Sequence, residues 1–205
     1  MKKLLFALAL AACFAFGTPD LATAEKECDG GNMKSCTQAG ALHIIKNDNP
    51  DKGVKMLKET CDKGDTYSCW FLGSQYIGKG FLEKDKDTEK AKIYFEKACD
   101  GGYYMGCMSL AVDIYGTDDM EKAAIYYRKS CDLGNSLGSE NALGSFDSCY
   151  RFAIYSQLAM NDTKKAAQYY KKACDLGKNK NSLFMNPSEF KELWQKSCDM
   201  YELLK

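Results

Sequence analysis

The sequence predicts an all-α protein, a right-handed α/α solenoid of about four helix pairs stapled by disulfide bonds. The main observation is a repeated phrase, in which a helical stretch ends in Cys-Asp-x-Gly and a second cysteine follows shortly after. It reads CDGGNMKSC from Cys28, CDKGDTYSC from Cys61 and CDGGYYMGC from Cys99, and its first half returns at Cys131 and Cys174. Successive copies are separated by thirty-odd residues, or by more where a loop expands. A period of that length with two helices per unit is typical of a solenoid.

The first helix of each unit is amphipathic. In DTKKAAQYYKKACDLG, alanine and tyrosine fall on one helical face and lysine on the other, which is the pattern of a half-buried helix. The same phrase begins at Asp87 and Asp118, with a looser copy at Asp51. A leading Asp or Thr suits an N-cap. The glycines of the Cys-Asp-x-Gly phrases suit a left-handed position that stops the helix, and they are Gly64, Gly101, Gly134 and Gly177.

The second helix of each unit carries a different phrase. SCWFLGSQYIGKG from Ser68 and GCMSLAVDIYG from Gly106 place apolar residues at helical spacing and end near tyrosine and glycine. Looser versions begin at Ser35 and Ser148. A Ser/Gly-rich loop over 135–147 interrupts the pattern.

The N-terminal segment indicates an export signal over 1–24. Two lysines precede an apolar core, Leu4 to Phe16, that is too short to span a bilayer. Small residues at Ala22-Thr23-Ala24 favour cleavage before Glu25. Leu10-Ala11-Ala12-Cys13 instead matches a lipobox, which would make Cys13 a lipidated first residue. We favour the first site because the second would give a short signal, but either one implies export to the periplasm or beyond. A membrane is a partner only if Cys13 is lipidated.

After the signal, we expect a repeat array over 25–186 and a capping helix over 187–205. The capping helix is predicted from Asn186-Pro187-Ser188-Glu189, which places proline at the first helical position and glutamate at the third. Cys198, near its end, is followed by Asp-Met-Tyr without a stopping glycine, so this helix should run to the C-terminus.

Composition and cysteine content narrow the function classes. The chain has 28 basic and 28 acidic residues in a mixed order, so it shows no electrostatic footprint for nucleic acid. Of eleven cysteines, ten remain once Cys13 is removed or lipidated. An even number in an exported protein predicts disulfides. His43 is the single histidine and there is no Cys-x-x-Cys pair, so we expect no metal site and no cofactor.

These phrases resemble a known family. LGSQYIGKG from Leu72, followed by helices of the form DTKKAAQYYKKACDLG, is similar to the Sel1-like repeat, a relative of the tetratricopeptide repeat. The paired cysteines resemble its secreted branch, the Helicobacter cysteine-rich protein family. The resemblance runs from Cys28 to about Leu176 and departs from the family where the last two cysteine pairs are widely spaced.

Within this framework we expect neighbouring cysteines to pair. The first cysteine ends one helix and the second enters the next across a short turn, which can bring the Cα atoms to roughly 5–6 Å. The expected pairs are Cys28–Cys36, Cys61–Cys69, Cys99–Cys107, Cys131–Cys149 and Cys174–Cys198. Each loop could stabilise by roughly 2.5–3.5 kcal/mol.

The resemblance also implies an enzyme, because members of this family are described as penicillin-binding proteins with weak β-lactamase activity. A serine enzyme of that kind needs Ser-x-x-Lys, and Ser188 with Lys191 forms the matching string. The partner strings Ser-Asp-Asn and Lys-Thr-Gly are absent. We therefore expect Ser188 in the first turn of the capping helix and Lys191 in solvent. His43, without an obvious nucleophile beside it, is interpreted as a half-buried helix residue.

Two functions stay open. In one, which the family resemblance implies, the protein binds and slowly opens β-lactam rings or handles a related cell-wall peptide. In the other, it is a non-enzymatic scaffold for a protein or peptide on the concave surface of the solenoid. Most of the thirteen tyrosines should pack between helices, and those left on the concave surface of the first helices would suit binding. Trp70 should pack near a disulfide, while Trp194 could be either core or contact.

Overall fold

The computed structural model describes residues 20–78, 86–116, 118–136, 142–178 and 186–205. Within these ranges the chain forms α-helices and one short π-helical segment, without a β-strand. This confirms the all-α class. The α-helices are α1 Leu21–Asp29, α2 Met33–Ile45, α3 Pro50–Asp62, α4 Thr66–Tyr76, α5 Thr88–Asp100, α6 Tyr104–Ser109, α7 Met120–Ser136, α8 Ala142–Leu158, α9 Thr163–Gly177 and α10 Pro187–Leu204. The π-helical segment, Leu110–Tyr115, directly follows α6.

The helices form two compact units, and the boundary between Gly106 and Cys107 falls inside α6. In the first unit, successive helices from α1 to α5 pack on one another around a core that includes Leu57, Phe71 and Leu72, each fully buried. In the second unit, α8 packs between α7 and α9, and α10 covers α9. The core there contains alanine and aromatic side chains: Ala123, Phe146, Phe152, Ala166, Tyr170 and Phe190.

The helices begin where capping chemistry places them. Asp87 accepts a hydrogen bond from the Lys90 backbone, and Asp162 accepts one from Lys165, so both leading aspartates are N-caps as predicted. In the looser copy the cap is Asn49, two residues before Asp51.

The expectation for the four glycines is only partly right. Gly64 is left-handed, with φ +97°, but Gly101 has φ −72° and the left-handed residue there is Gly102. Gly134 lies within α7, and Gly177 is the last residue of α9. Close packing explains these last two. A Cβ on Gly134 would lie 2.2 Å from that of Ser145, and one on Gly177 would lie 2.5 Å from the Trp194 ring.

The π-helical segment corresponds to a one-residue insertion in the second-helix phrase. Four steps separate Leu72 from Tyr76 in the regular helix α4, and five separate Leu110 from Tyr115. A π-turn accommodates one additional residue without ending the helix. π-turns of this kind are frequent at functional sites.

The insertion preserves a repeated aromatic contact. Tyr76 stacks on Tyr94 at 5.7 Å between ring centroids, and Tyr115 stacks on Tyr126 at 5.4 Å. Since both stacks are nearly parallel, at 5° and 8°, the extra residue is absorbed before Tyr115. The residues that change position are therefore those between Leu110 and Tyr115.

Across the described ranges, no helix is both long and apolar enough to cross a membrane. The predicted signal core and Cys13 lie outside the described residues.

Candidate functional site

The cysteines are bonded, which removes them as nucleophiles. Disulfides join Cys28 to Cys36, Cys61 to Cys69, Cys131 to Cys149 and Cys174 to Cys198, with Cα atoms 4.5 to 4.9 Å apart. Cys99 and Cys107 are disulfide-bonded as well. Every cysteine in the described part of the chain is thus oxidised, and none can supply the thiolate that nucleophilic or metal chemistry requires.

Buried hydroxyl groups lie beside several of these disulfides. In each compact unit, the residues directly before two paired cysteines contact each other through their hydroxyl groups. The Thr60 hydroxyl donates to that of Ser68 at 2.7 Å, and the hydroxyl oxygens of Ser130 and Ser148 lie 2.8 Å apart. Ser35 likewise donates to Glu27 at 2.6 Å. Because the contact recurs at equivalent positions, these serines serve the repeat's packing, and we assign them no catalytic role.

Ser188 and Lys191 lie where the sequence analysis expected them, on exposed turns of α10. The Ser188 hydroxyl donates to the side-chain oxygen of Asn186 at 2.7 Å, which is a capping contact. Both residues line an open surface depression along one helix, together with Glu192 and Gln195. Ser188 is exposed, and among the described residues no base contacts its hydroxyl, which an activated nucleophile requires.

His43 is more buried than expected, with 3% of its surface exposed. Its Nε2 contacts a Glu25 carboxylate oxygen at 2.9 Å, and its Nδ1 lies 3.3 Å from Asp48. Lys52 also binds Glu25. Hydrogen bonds from Lys52 and then from His43 hold the pKa of Glu25 below its ordinary value. These contacts attach α1 to α2 and α3, which is a structural role.

The remaining candidate is a groove of about 600 Å³ in the second unit, between the π-helical segment, α7 and α8. We call it the α7–α8 groove. Its lining is mostly apolar and consists of Val112, Gly116, Met120, Ala124, Tyr127, Arg151, Ile154, Tyr155, Leu158 and Ala159. Its volume lies in the range of small-ligand and peptide pockets.

Helical spacing explains why these residues share one surface. On α7 the lining residues are Met120, Ala124 and Tyr127, and on α8 the first is Arg151, followed by residues one and two turns further on. Val112 enters from the π-helical segment. The one-residue insertion therefore contributes to a wall of the groove.

Three apolar side chains of the groove are exposed. Leu158 is 77% exposed, Met120 48% and Val112 39%. Scattered exposed apolar residues are ordinary, but several that line one concave surface make that surface a candidate binding site. Met120 also adds flexibility, because an unbranched thioether adapts to different ligands.

The charged residue of the groove is Arg151. Its Nε donates to Asp147 at 2.7 Å, and its guanidinium lies over the Tyr127 ring at 5.7 Å. Burial disfavours the charged guanidinium, but the carboxylate of Asp147 outweighs this and raises the pKa of Arg151. Burial raises the pKa of Tyr127, because it disfavours the charged phenolate. The groove therefore presents a permanent cation beside an apolar surface.

This groove is not predicted from the sequence. The sequence indicates binding on the concave surface of the first helices, whereas the lining comes largely from second-helix residues of α8 and the π-helical segment. The length of the LAVDIY phrase was the available signal. Trp70 packs as expected, 5.6 Å from Tyr67 and next to Cys69. Trp194 is a half-buried packing residue that donates to the Cys174 carbonyl at 2.9 Å.

Within the described ranges, no group of three or more His, Cys, Asp or Glu side chains is placed to hold a metal ion.

The architecture is that of a helix-pair repeat protein. The Sel1 repeat model matches residues 36–65, 66–103, 105–135 and 139–178, which is more than half of the chain, and the protein belongs to the Sel1 repeat family. Proteins of this family generally bind other proteins or peptides.

Two individual proteins are similar to parts of this chain. The chain is 34% identical over 87 residues to cytochrome c oxidase assembly factor 7 of Danio rerio. The alignment covers 39% of this chain and 38% of that protein. The structure of c5321, a protective antigen of uropathogenic Escherichia coli with an SLR fold, aligns with a TM-score of 0.56 at 16% identity. That alignment covers 89% of this chain and 40% of the antigen. The chain thus spans about two fifths of the length of either relative.

Proposed function

We propose that the protein is a non-enzymatic peptide-binding module that acts outside the cytoplasm, and that the α7–α8 groove is its binding site. The observation that carries this proposal is the exposure of Leu158, Met120 and Val112 on one concave surface. Burying an exposed aliphatic side chain contributes about 1.5–3 kcal/mol, so two or three anchors suffice for a specific peptide.

The test is selection of a displayed random peptide library on the oxidised protein, followed by affinity measurements with two variants. Leu158→Asp places a charge in the groove at a side chain that is 77% exposed, so the fold should remain intact. Leu203→Asp on α10 is a matched control, since Leu203 is 75% exposed and does not line the groove.

We expect selected peptides to bind Leu158→Asp at least about tenfold more weakly, and Leu203→Asp within about twofold of the parent protein. Failure to select any peptide, or equal binding by all three proteins, would overturn the proposal.

The β-lactam alternative rests on the family resemblance. For this alternative, Ser188 is an exposed capping serine whose hydroxyl contacts Asn186 and, within the part of the chain that the structure describes, no base. Turnover of a chromogenic β-lactam by the oxidised protein, compared with Ser188→Ala, tests it directly. We expect no turnover above buffer. Hydrolysis lost in the variant would make this a serine enzyme and overturn the non-enzymatic proposal.

Export is part of the proposal, and the disulfides support it because such bonds persist in oxidising compartments. The predicted cleavage site before Glu25 lies inside α1. Cleavage there removes the buried Ala24 but keeps the Glu25 contacts with His43 and Lys52. The intact mass of the protein isolated from cells should correspond to a start at Glu25. A diacylated start at Cys13 would contradict that site, and an unprocessed chain would contradict export through this signal.

A further inference from the structure

The α7–α8 groove has two different ends. Ser130 meets Ser148, and Tyr127, three residues earlier on α7, lies against Arg151, three residues later on α8. As the position on α7 moves back, its partner on α8 moves forward, so the two helices run antiparallel.

Continuing the same register places Met120 at the level of Leu158. Arg151 and Leu158 are seven residues apart on one helix, which corresponds to about 10 Å along its axis. The groove therefore has a cationic end, formed by Arg151 and Tyr127, and an apolar end, formed by Met120 and Leu158.

The cationic end retains hydrogen-bonding capacity. A guanidinium has five N–H donors. Asp147 accepts from Nε, and the Tyr127 ring lies against the guanidinium. Half of the Arg151 side chain, 51%, is exposed to solvent. The two contacts hold the guanidinium in place and leave donors for a ligand. A planar guanidinium pairs with carboxylates and phosphates, and an unmodified peptide offers the carboxylate.

We propose that the α7–α8 groove binds the C-terminal end of a partner peptide, with the α-carboxylate on Arg151 and the last apolar side chains between Met120 and Leu158. This inference rests on the proposed peptide-binding function and names its ligand.

The ligand follows from the geometry of the two ends. The cation directly adjoins an apolar surface, so the ligand must carry a carboxylate next to an apolar side chain. At the C-terminus of a chain, both belong to a single residue. An internal Asp or Glu would use its own side chain to supply the carboxylate, so a different residue would have to make the apolar contact with Ile154 and Ala124. Capture of a terminal carboxylate is an established mode of peptide recognition.

The experiment uses an acetylated pentapeptide library whose last three positions are drawn from Leu, Ile, Val, Phe and Met. It is synthesised once with a free C-terminal acid and once as the amide, and both forms are measured against the oxidised full chain. The main variant is the double substitution Arg151→Gln with Asp147→Asn, which removes the cation without leaving a carboxylate unpaired. Leu158→Asp and Leu203→Asp serve as the groove variant and its matched control.

We expect the best acids to bind at least about tenfold more tightly than their amides. In the double variant, the ratio of the amide Kd to the acid Kd should fall to about one. Leu158→Asp should weaken the acids and amides alike, and Leu203→Asp should weaken neither.

Two results would overturn the inference while leaving the groove a peptide site: equal binding of acid and amide that Leu158→Asp still weakens, or an acid preference that persists in the double variant. If no member binds in either form, this inference fails. The proposed function fails separately, when the random library also yields no peptide sensitive to Leu158→Asp.

Discussion

Gly106 offers a direct test of how the repeats are packed. The residue before the second cysteine is serine in the other units, as in Ser68, but glycine at 106, where the residue that precedes the first cysteine is Ala98. A Cβ built on Gly106 would lie 2.6 Å from the Cys99 amide nitrogen, 2.7 Å from the Ala98 Cβ and 2.9 Å from the Phe95 carbonyl oxygen. Two of these three atoms belong to the backbone of α5, so a side-chain rotation cannot relieve the overlap.

The expected effect of Gly106→Ala is a loss of stability. Overpacking against immobile atoms costs about 2–3 kcal/mol. Alanine has a higher helix propensity than glycine, which offsets about 1 kcal/mol of that destabilisation. The net destabilisation should therefore be about 1–2 kcal/mol. Gly106→Ser should be at least as destabilising, although serine is the residue of the other repeats.

Urea unfolding of the oxidised protein, followed by circular dichroism, measures this difference. Gly30→Ala is the control, because Gly30 has φ −74° and its nearest non-neighbour atom would lie 3.3 Å from the new Cβ. We expect the control to stay within about 0.5 kcal/mol of the parent. If the Gly106→Ala protein were as stable as the parent, the close approach of α5 and α6 would not require two residues as small as Ala98 and Gly106.

Two further predictions concern the second unit. Burial, followed by the charge of Asp132, raises the pKa of Tyr169 from 10.0 to about 12. The folded state thus favours the neutral phenol, and this contribution, up to about 2–3 kcal/mol, is complete below pH 10 and lost between pH 10 and 12. Tyr169→Phe should flatten the fall in stability over that window in alkaline unfolding curves, and an unchanged slope would contradict the assignment. Cys149→Ser together with Cys131→Ser should reduce hydrogen-exchange protection of α7 and α8, while the helices of the first unit keep theirs. Uniform loss of protection along the chain would contradict the nearest-neighbour picture of repeat stability.

Repetition explains what the sequence could predict. Each unit repeats the same helix phrases, so one amphipathic pattern, one N-cap aspartate and one pair of cysteines are seen several times over. The class of fold and its disulfide stapling follow from that redundancy. Asp87 and Asp162 cap their helices through the local chain, three residues away, and such contacts can be predicted without tertiary information.

The glycines show where this approach fails. Gly64 and Gly134 occupy the same position in the phrase, but only Gly64 is left-handed. Gly134 is needed because Ser145 lies against it, and Ser145 belongs to the Ser/Gly-rich insertion over 135–147, which has no counterpart in the sequence of the other repeats. Glycine at the same position of the phrase thus meets a backbone requirement at Gly64 and a packing requirement at Gly134, and only the packed structure distinguishes the two.

The α7–α8 groove illustrates the same limit for function. Leu158, Met120 and Val112 fall at helical spacings that ordinarily indicate core residues, so the pattern alone predicts burial for all three. Val112 lies in the stretch that carries the one-residue insertion, and the structure absorbs that insertion as a π-turn before Tyr115. The stacking of Tyr115 on Tyr126 is kept as in the preceding repeat, so the insertion leaves the repeat's packing intact and changes the surface above it. We infer that the departure from the repeat, and not the repeat itself, supplies the part of this molecule that can recognise a partner.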